Sequence, residues 1–514
     1  MDSSKATETP AVLTKPEIAA PSEAGSPKPG SLASNLAWRA LANWSSQLVS
    51  WAALLVVVRL LSPPDFGLVG MSVVLFWYLK FLGEFGITAT VIRNRHYGEE
   101  TLAQLNTMGV VFGTGSFLLA CLFAYPAALF FKTPGVVPVA VVTCIGLIPL
   151  GVRGVPEGLM NRELRFNALT LLDAFRDIAS AVITVLLAWL GFRYWALVLG
   201  NLLAELGRCV IILVMQPYRY ARPRWSTLRE PLAFGWRVLV SGFAWSTYNT
   251  LDNVTAGRVL GQSALGLYAM AWNLANMPLE KIVSLVTTLI PAYLSKVQTD
   301  LSALRHYVRS LTEMISLSTF PATIGFALVA SEGIPLVLGR KWIGMIAPLQ
   351  VLCVYAAVRS IVAILPKVLT ACGNPQFVMR VELMGLVIMP ISFWIGSHWG
   401  LKGIAYGWVF GYPIIALAEY WKTMKTIQMN VGDYFKALRP ALDGSIAMTL
   451  GVLGIQRILP PFSPWIRLLI EIGGGAAVYV ATVTLLHQER ARHFLSIAMR
   501  VRKPKVAAVV VARS

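Results

Sequence analysis

Charge is what this 514-residue chain has least of: Asp, Glu, Lys and Arg make up 13% of it, against 56% apolar residues. A soluble domain of this size carries about twice that share of charge, roughly 25%. Cysteine is nearly absent. Its five copies (Cys121, Cys144, Cys209, Cys353, Cys372) are scattered, mostly through apolar stretches. No pair has metal-ligand spacing, and an odd number argues against a disulfide framework, so they read as small core hydrophobes. The five histidines (His96, His306, His398, His487, His493) fall in expected loops or at the ends of apolar stretches. Neither a phosphate-binding Gly-rich loop ending in Lys-Ser/Thr nor a Gly-x-Ser-x-Gly turn occurs, so nucleotide hydrolysis and acyl transfer lack their motifs. No catalytic constellation, cofactor or metal site is expected, and the chain is not read as an enzyme.

Long apolar runs are abundant. Crossing a bilayer takes about 20 predominantly apolar residues per helix. Only helices or a closed barrel satisfy the backbone there, and unbroken runs exclude the alternating pattern of a barrel. The expected fold is an all-α polytopic membrane protein with about fourteen transmembrane helices. They are placed at 33–58, 66–92, 104–131, 136–158, 168–190, 194–215, 233–256, 265–292, 310–331, 345–371, 379–398, 403–421, 440–458 and 465–487.

Lys and Arg gather in alternate loops, among them Arg153/Arg162/Arg165, Arg219/Arg222/Arg224/Arg229 and Lys422/Lys425/Lys436/Arg439. By the positive-inside rule both termini are cytoplasmic, and the net charge of +19 needs no nucleic acid to explain it. Residues 1–32 lack an apolar core and read as a disordered cytoplasmic tail, with a basic cytoplasmic tail over 488–514.

The stretch Arg59–Met71 has an echo at Arg258–Met270, sharing Arg, Leu, Gly, Leu and Met at the same spacing. A second echo links Gly191–Ala196 to Gly400–Ala405. In each case the copies lie six spans apart, which gives the two halves the same orientation. The expected plan is two six-helix lobes related by pseudo-two-fold symmetry, plus two C-terminal helices. The N-lobe is 33–216 and the C-lobe 233–422, joined by a cytoplasmic loop at 217–232, with the last two spans in 440–487.

Arg59-x-Leu61-Ser62-Pro63-x-Asp65-Phe66-Gly67, Phe85-Gly86, Met160 to Phe166 and Gly191-Phe192-x-Tyr194-Trp195-Ala196 are four motifs with a familiar order and spacing. They continue in Leu251-Asp252-Asn253, Gly257-Arg258-x-Leu260-Gly261, Leu265 to Tyr268, Leu338-Gly339-x-Lys341-Trp342 and Ala371-x-Gly373-Asn374. Together they resemble the polysaccharide transporters of the multidrug/oligosaccharidyl-lipid/polysaccharide exporter superfamily. The resemblance implies a flippase of the bacterial cytoplasmic membrane. Its substrate would be oligosaccharide repeat units on undecaprenyl diphosphate, destined for exopolysaccharide or lipopolysaccharide. It also implies the bilayer, and the polymerase and chain-length proteins of the same pathway, as partners.

Ionisable residues inside spans are costly and usually face a bundle interior, so they are the site candidates. Arg39 and Asn43, with Ser46 and Ser50, form a polar stripe suited to phosphate, although Arg39 is close enough to the interface to snorkel. Lys80 and Glu84 are one turn apart beside Trp77, either as an intrahelical ion pair or as a coupling carboxylate that releases a lysine. Tyr248 and Asp252 in span seven face Asn273, Glu280 and Lys281 in span eight, a mixture suited to sugar hydroxyls and ring faces. Asp252 is expected near the outer end of its helix, where a water-exposed structural role is as plausible. Arg359 and Lys367 lie near one face of span ten around Pro366 and are expected to line a cavity. Asp173/Arg176/Asp177 and Glu205/Arg208 read as local ion pairs, and Glu382, Glu419, Asp443 and Glu471 as weaker candidates. The alternatives are a drug or cation antiporter of the same fold, for which these spans hold too many bases, and a non-transporting subunit of a polymer-assembly complex.

Overall fold

Without water to satisfy it, backbone in hydrocarbon closes its own hydrogen bonds, and every regular element among the described residues is a helix. The structure, a computed structural model, describes residues 29–94, 96–287, 300–460 and 462–490; the side chains of 29–44, 241, 244, 245, 248, 281 and 284–287 lie outside that description. The first half holds α1 (Pro29–Leu60), α2 (Pro63–Glu84), α3 (Ile87–Arg93), α4 (Glu99–Phe131), α5 (Val136–Cys144), α6 (Leu147–Val152), α7 (Gly154–Arg162), α8 (Phe166–Trp189) and α9 (Tyr194–Met215). The second half holds α10 (Trp225–Thr255), α11 (Gln262–Thr287), α12 (Leu301–Val337), α13 (Ile346–Val362), α14 (Leu365–Ala371), α15 (Pro375–Ser397) and α16 (Gly400–Ile427). The hairpin of α17 (Val431–Ile458) and α18 (Pro464–Leu486) follows.

Described helices overlie part or all of each of the fourteen apolar stretches. Nine of them are long and apolar enough to cross a membrane, and ten if the bent pair 136–152 and 154–162 is one span. The stretches that fall short include α8 and α10, which carry Asp173, Arg176 and Asp177, and Arg237 and Asp252.

Local chemistry sets the breaks. Pro63 and Pro64 occupy the first turn of α2, where a missing amide hydrogen costs nothing, and the Asp65 carboxylate accepts hydrogen bonds from the Ser62 amide (3.0 Å) and hydroxyl (2.5 Å). Arg193 also reaches Asp65, at 3.4 Å, so the Gly191–Ala196 motif is fastened to the Ser62–Gly67 motif. Span two breaks at Phe85 and Gly86, both left-handed (φ 39° and 62°). Span ten breaks ahead of Pro366, between α13 and α14. The linker after α9 is zipped onto α4: the Thr107 hydroxyl donates to the Ala221 carbonyl (2.8 Å) and the Arg224 amide to Gln104 Oε1 (3.1 Å).

The two repeat copies meet. α2 packs on α11 so closely that a Cβ on Gly67 would lie 1.8 Å from the Gln262 carbonyl oxygen, and one on Gly266 1.9 Å from that of Pro63. The Gln262 side-chain amide donates to the Pro64 carbonyl at 2.7 Å. Arg59, at the end of α1, donates from Nε and Nη2 to the carbonyls of Val337 (2.8 Å) and Leu336 (2.7 Å), the last of α12. Arg258, past the end of α10, donates to the Phe130 carbonyl at the end of α4 (2.6 Å). Lys341 caps α1 in turn by donating to the carbonyls of Arg59 (2.8 Å) and Leu61, and Trp342 Nε1 donates to Val58 (3.1 Å). These contacts form a seam across one face of the molecule. α17 and α18 stand apart from it, packed on α12.

Candidate functional site

A cavity of about 780 Å³ opens among α10, α11, α13–α16, every described lining residue coming from the second half. Arg237, Arg359 and Lys367 bring cationic groups to it, Glu382 and Glu419 carboxylates, and Trp236, Asn249 and Tyr412 the polar and aromatic remainder. α13 and α16 run away from the seam face and α10 runs toward it. At 1.5 Å per residue this puts Arg359, Arg237 and Glu419 roughly 20–30 Å from the seam. The charged end of the cavity lies toward the opposite face.

An aromatic stack closes the cavity on the seam side. Tyr412 sits edge-on to Tyr355 (centroids 5.2 Å), Tyr355 packs on Trp408 (4.7 Å), and Trp408 touches Trp272 and Phe393 (both 5.0 Å). Trp408, Tyr355 and Phe393 are fully or almost fully buried. Asp252 anchors the stack. Its Oδ2 accepts from the Tyr268 hydroxyl and from Trp408 Nε1, each at 3.0 Å, and its Oδ1 from the amide (2.7 Å) and side chain (3.0 Å) of Asn253. Of the two readings open for Asp252, the water-exposed one does not hold: the residue is fully buried, with Tyr268 and Trp408 folded over the end of α10.

Of the other expected site residues, Arg359 and Lys367 line the cavity, and Arg359 also donates to Asn276 Oδ1 (3.4 Å) with its guanidinium 5.9 Å from the Tyr355 ring. Lys80 and Glu84 form the intrahelical ion pair (3.7 Å), and the lysine lies 4.9 Å from the Trp77 ring. Asn273 and Glu280 are exposed and stand outside the described lining. The side chains of Arg39, Asn43, Tyr248 and Lys281 lie outside the described residues.

Arg237, a residue the sequence reading passed over, enters the site, and Glu382 and Glu419 move up from weak candidates. Arg237 carried the signal that singled out Arg359, a span arginine with no acidic residue three or four positions away. Asp443 and Glu471 are tied up elsewhere, Asp443 with His487 (3.0 Å) and Arg439 (3.5 Å), Glu471 with Arg467 (3.4 Å) and Gln456 (3.1 Å). Of the expected local pairs in the first half, Arg176–Asp177 (2.5 Å) is local, whereas Arg208 bridges Glu157 (3.0 Å) and Asp173 (2.9 Å) and Glu205 is reached by Arg153 (3.0 Å), which also pairs with Glu157 (3.6 Å). These ions neutralise one another and knit α7, α8 and α9 together. Among the described residues no group of His, Cys, Asp and Glu could hold a metal ion.

Among the described residues the protein is a strand-free helical bundle with membrane-spanning helices and a charged cavity in its second half. The structure resembles the lipid II flippase MurJ in an inward closed conformation, with a TM-score of 0.71 at 13% identity over 88% of this chain and 99% of that one. The chain belongs to the polysaccharide biosynthesis protein family, whose profile matches residues 56–347. It is 25% identical to an uncharacterized membrane protein in the cps region of Klebsiella pneumoniae over 87% of this chain and 93% of that one. It is also 25% identical to the lipopolysaccharide biosynthesis protein WzxC of Escherichia coli K12, over 76% and 80% of the two chains. The resemblance to polysaccharide transporters read from the motifs therefore stands.

Proposed function

We propose that the chain flips polyprenyl-diphosphate-linked oligosaccharide from the inner to the outer leaflet of the bacterial cytoplasmic membrane. The observation that carries this is the gathering of Arg237, Arg359 and Lys367 in one cavity closed off from the seam face. A diphosphate is an anion whose oxygens match the planar fork of a guanidinium. Glu382, Glu419 and Asn249 accept from or donate to sugar hydroxyls, while Trp236 and Tyr412 cover sugar ring faces. The apolar tail stays in lipid. In this reading fourteen spans form two six-helix lobes and a C-terminal pair, both termini are cytoplasmic, and the seam lies on the outer side. Polymerase and chain-length proteins would take the product.

The carboxylates Glu382 and Glu419 favour a second reading, a cation antiporter of the same fold. Three bases to two acids in the described lining weigh against it. In proteoliposomes, Arg359→Ala and Arg237→Ala should each slow flipping about tenfold or more, since a hydrogen bond to a charged group contributes about 1.5–3 kcal/mol. Unchanged rates in both variants would remove the cavity from the mechanism. Drug-cation efflux lost on Glu419→Gln would instead support the antiporter.

A further inference from the structure

The strap that joins the two halves, residues 217–224, forms no helix, yet α4 holds it along its backbone. The Asn106 side chain donates to the Arg219 carbonyl (3.4 Å) and the Thr107 hydroxyl to that of Ala221 (2.8 Å). The Ala221 amide donates to the Ala103 carbonyl (3.3 Å) and the Arg224 amide to Gln104 Oε1 (3.1 Å). Because the backbone makes these bonds, most of the side chains are left for something else. Arg219 and Arg222 are exposed, as is Arg229 near the start of α10. Among the described residues none of the three has a carboxylate within 4.0 Å, whereas Arg224 pairs with Glu100 (3.2 Å). Tyr220 and Trp225 stand among these arginines, 57% and 71% exposed, so two large rings are held in place with little protein against them.

The depth of the strap says what meets it. α4 holds the strap at Ala103 and accepts Arg258 at Phe130, so strap and seam stand about 40 Å apart at 1.5 Å per residue. That separation exceeds the roughly 30 Å of a hydrocarbon core and matches the 40–45 Å or so of a bilayer with its headgroups. The exposed apolar surface of α9 also ends just before the strap, at Val214 and Met215. The strap therefore runs where hydrocarbon gives way to headgroups. Trp and Tyr rings favour that level, and guanidinium groups pair there with phosphate oxygens. An acidic soluble protein would match the charge but not the depth. We infer that the strap and the first turns of α10, residues 217–229, form a binding site for the headgroups of anionic glycerophospholipids. The basic residues of this loop give the chain its orientation; their rigid placement around Tyr220 and Trp225 gives it a lipid site. Surface charge then bears directly on the segment that connects the two halves. The site stands whether or not the chain is a flippase.

The test is lipid retention by the full-length chain, purified in detergent with equal amounts of phosphatidylglycerol and phosphatidylcholine and read by native mass spectrometry. The parent should keep the anionic lipid severalfold better than the zwitterionic one, since each arginine near an anionic surface adds to the attraction. Arg219→Gln with Arg222→Gln and Arg229→Gln should bring the two lipids close to parity. Arg340→Gln with Lys402→Gln and Arg457→Gln removes as many exposed cations from the seam end and should keep the parent's preference. Thermal unfolding of the strap variant should match the parent; if it does not, Arg222→Gln alone replaces it and should show a smaller loss. Equal retention of both lipids by the parent overturns the site, as does a preference that survives in the strap variants or falls equally in the seam variant. Displacement of the lipid by inorganic phosphate, against chloride at the same ionic strength, would mark a simple anion site and overturns it too.

Discussion

A carboxylate whose two oxygens are filled by four protein donors has little left to offer a substrate, and Asp252 is in that position. Asp252→Ala should leave the Tyr268 hydroxyl and Trp408 indole without their acceptor, at about 1–3 kcal/mol for each orphaned donor. Thermal unfolding in detergent should show the loss, with Asp252→Asn falling less because one oxygen remains. Arg359→Ala should behave in the opposite manner, with a small stability change and a large fall in flipping. Residue by residue, the sequence revealed the arginine and lysine of span ten because isolated charges in apolar runs have few other uses. It could not reveal that Asp252 is satisfied internally, because its partners Tyr268 and Trp408 come from two other helices. The Lys80–Glu84 pair was legible for the converse reason: both members lie on one helix, one turn apart.

Helices outrun the hydrocarbon, and apolarity measures only the hydrocarbon. α10 begins at Trp225 and α12 spans Leu301–Val337, against expected spans of 233–256 and 310–331, because charged first turns such as Arg229–Glu230 remain helical outside the lipid. At the start of α12, Asp300 accepts hydrogen bonds from the Ser302 hydroxyl and the Ala303 and Ser302 amides, which hold its carboxyl below the ordinary carboxylate range. The sign follows: the cap is fully present above the ordinary value of about 4 and is lost as pH falls through the lowered one. Asp300→Ala should therefore fray the first turn of α12 at neutral pH, read as faster amide hydrogen exchange at Ser302 and Ala303. The difference from the parent should vanish only in strong acid. Spans two and ten are expected unbroken at 66–92 and 345–371; Pro366 marks the second break by its residue type, whereas the first rests on the left-handed backbone at Phe85 and Gly86. The interhelical ions of α7–α9 were not readable, since spacing along one chain cannot say which neighbouring helix an arginine will meet.

On the scale of the whole molecule, the repeat at Arg59 and Arg258 did not reveal that its two copies touch. Its shared glycines are explained by contact between backbones, and its shared arginines by helix ends in the opposite half. Lys341 and Trp342, a motif with no evident purpose in the sequence, cap the end of α1. The cavity sits where five helices of the second half, α10 and α13–α16, bring Arg237, Arg359, Lys367, Glu382 and Glu419 around one space. In the first half, by contrast, Arg153 and Arg208 are held in ion pairs between helices. An asymmetric site of this kind follows from which helices come together, a property no linear pattern contains. The most direct measurement is the rate at which a lipid-linked oligosaccharide, loaded in one leaflet of proteoliposomes, becomes accessible to an impermeant lectin outside. The parent should flip it, and Arg237→Ala and Arg359→Ala should be slowed at least about tenfold. Undiminished flipping in both alanine variants would contradict the account.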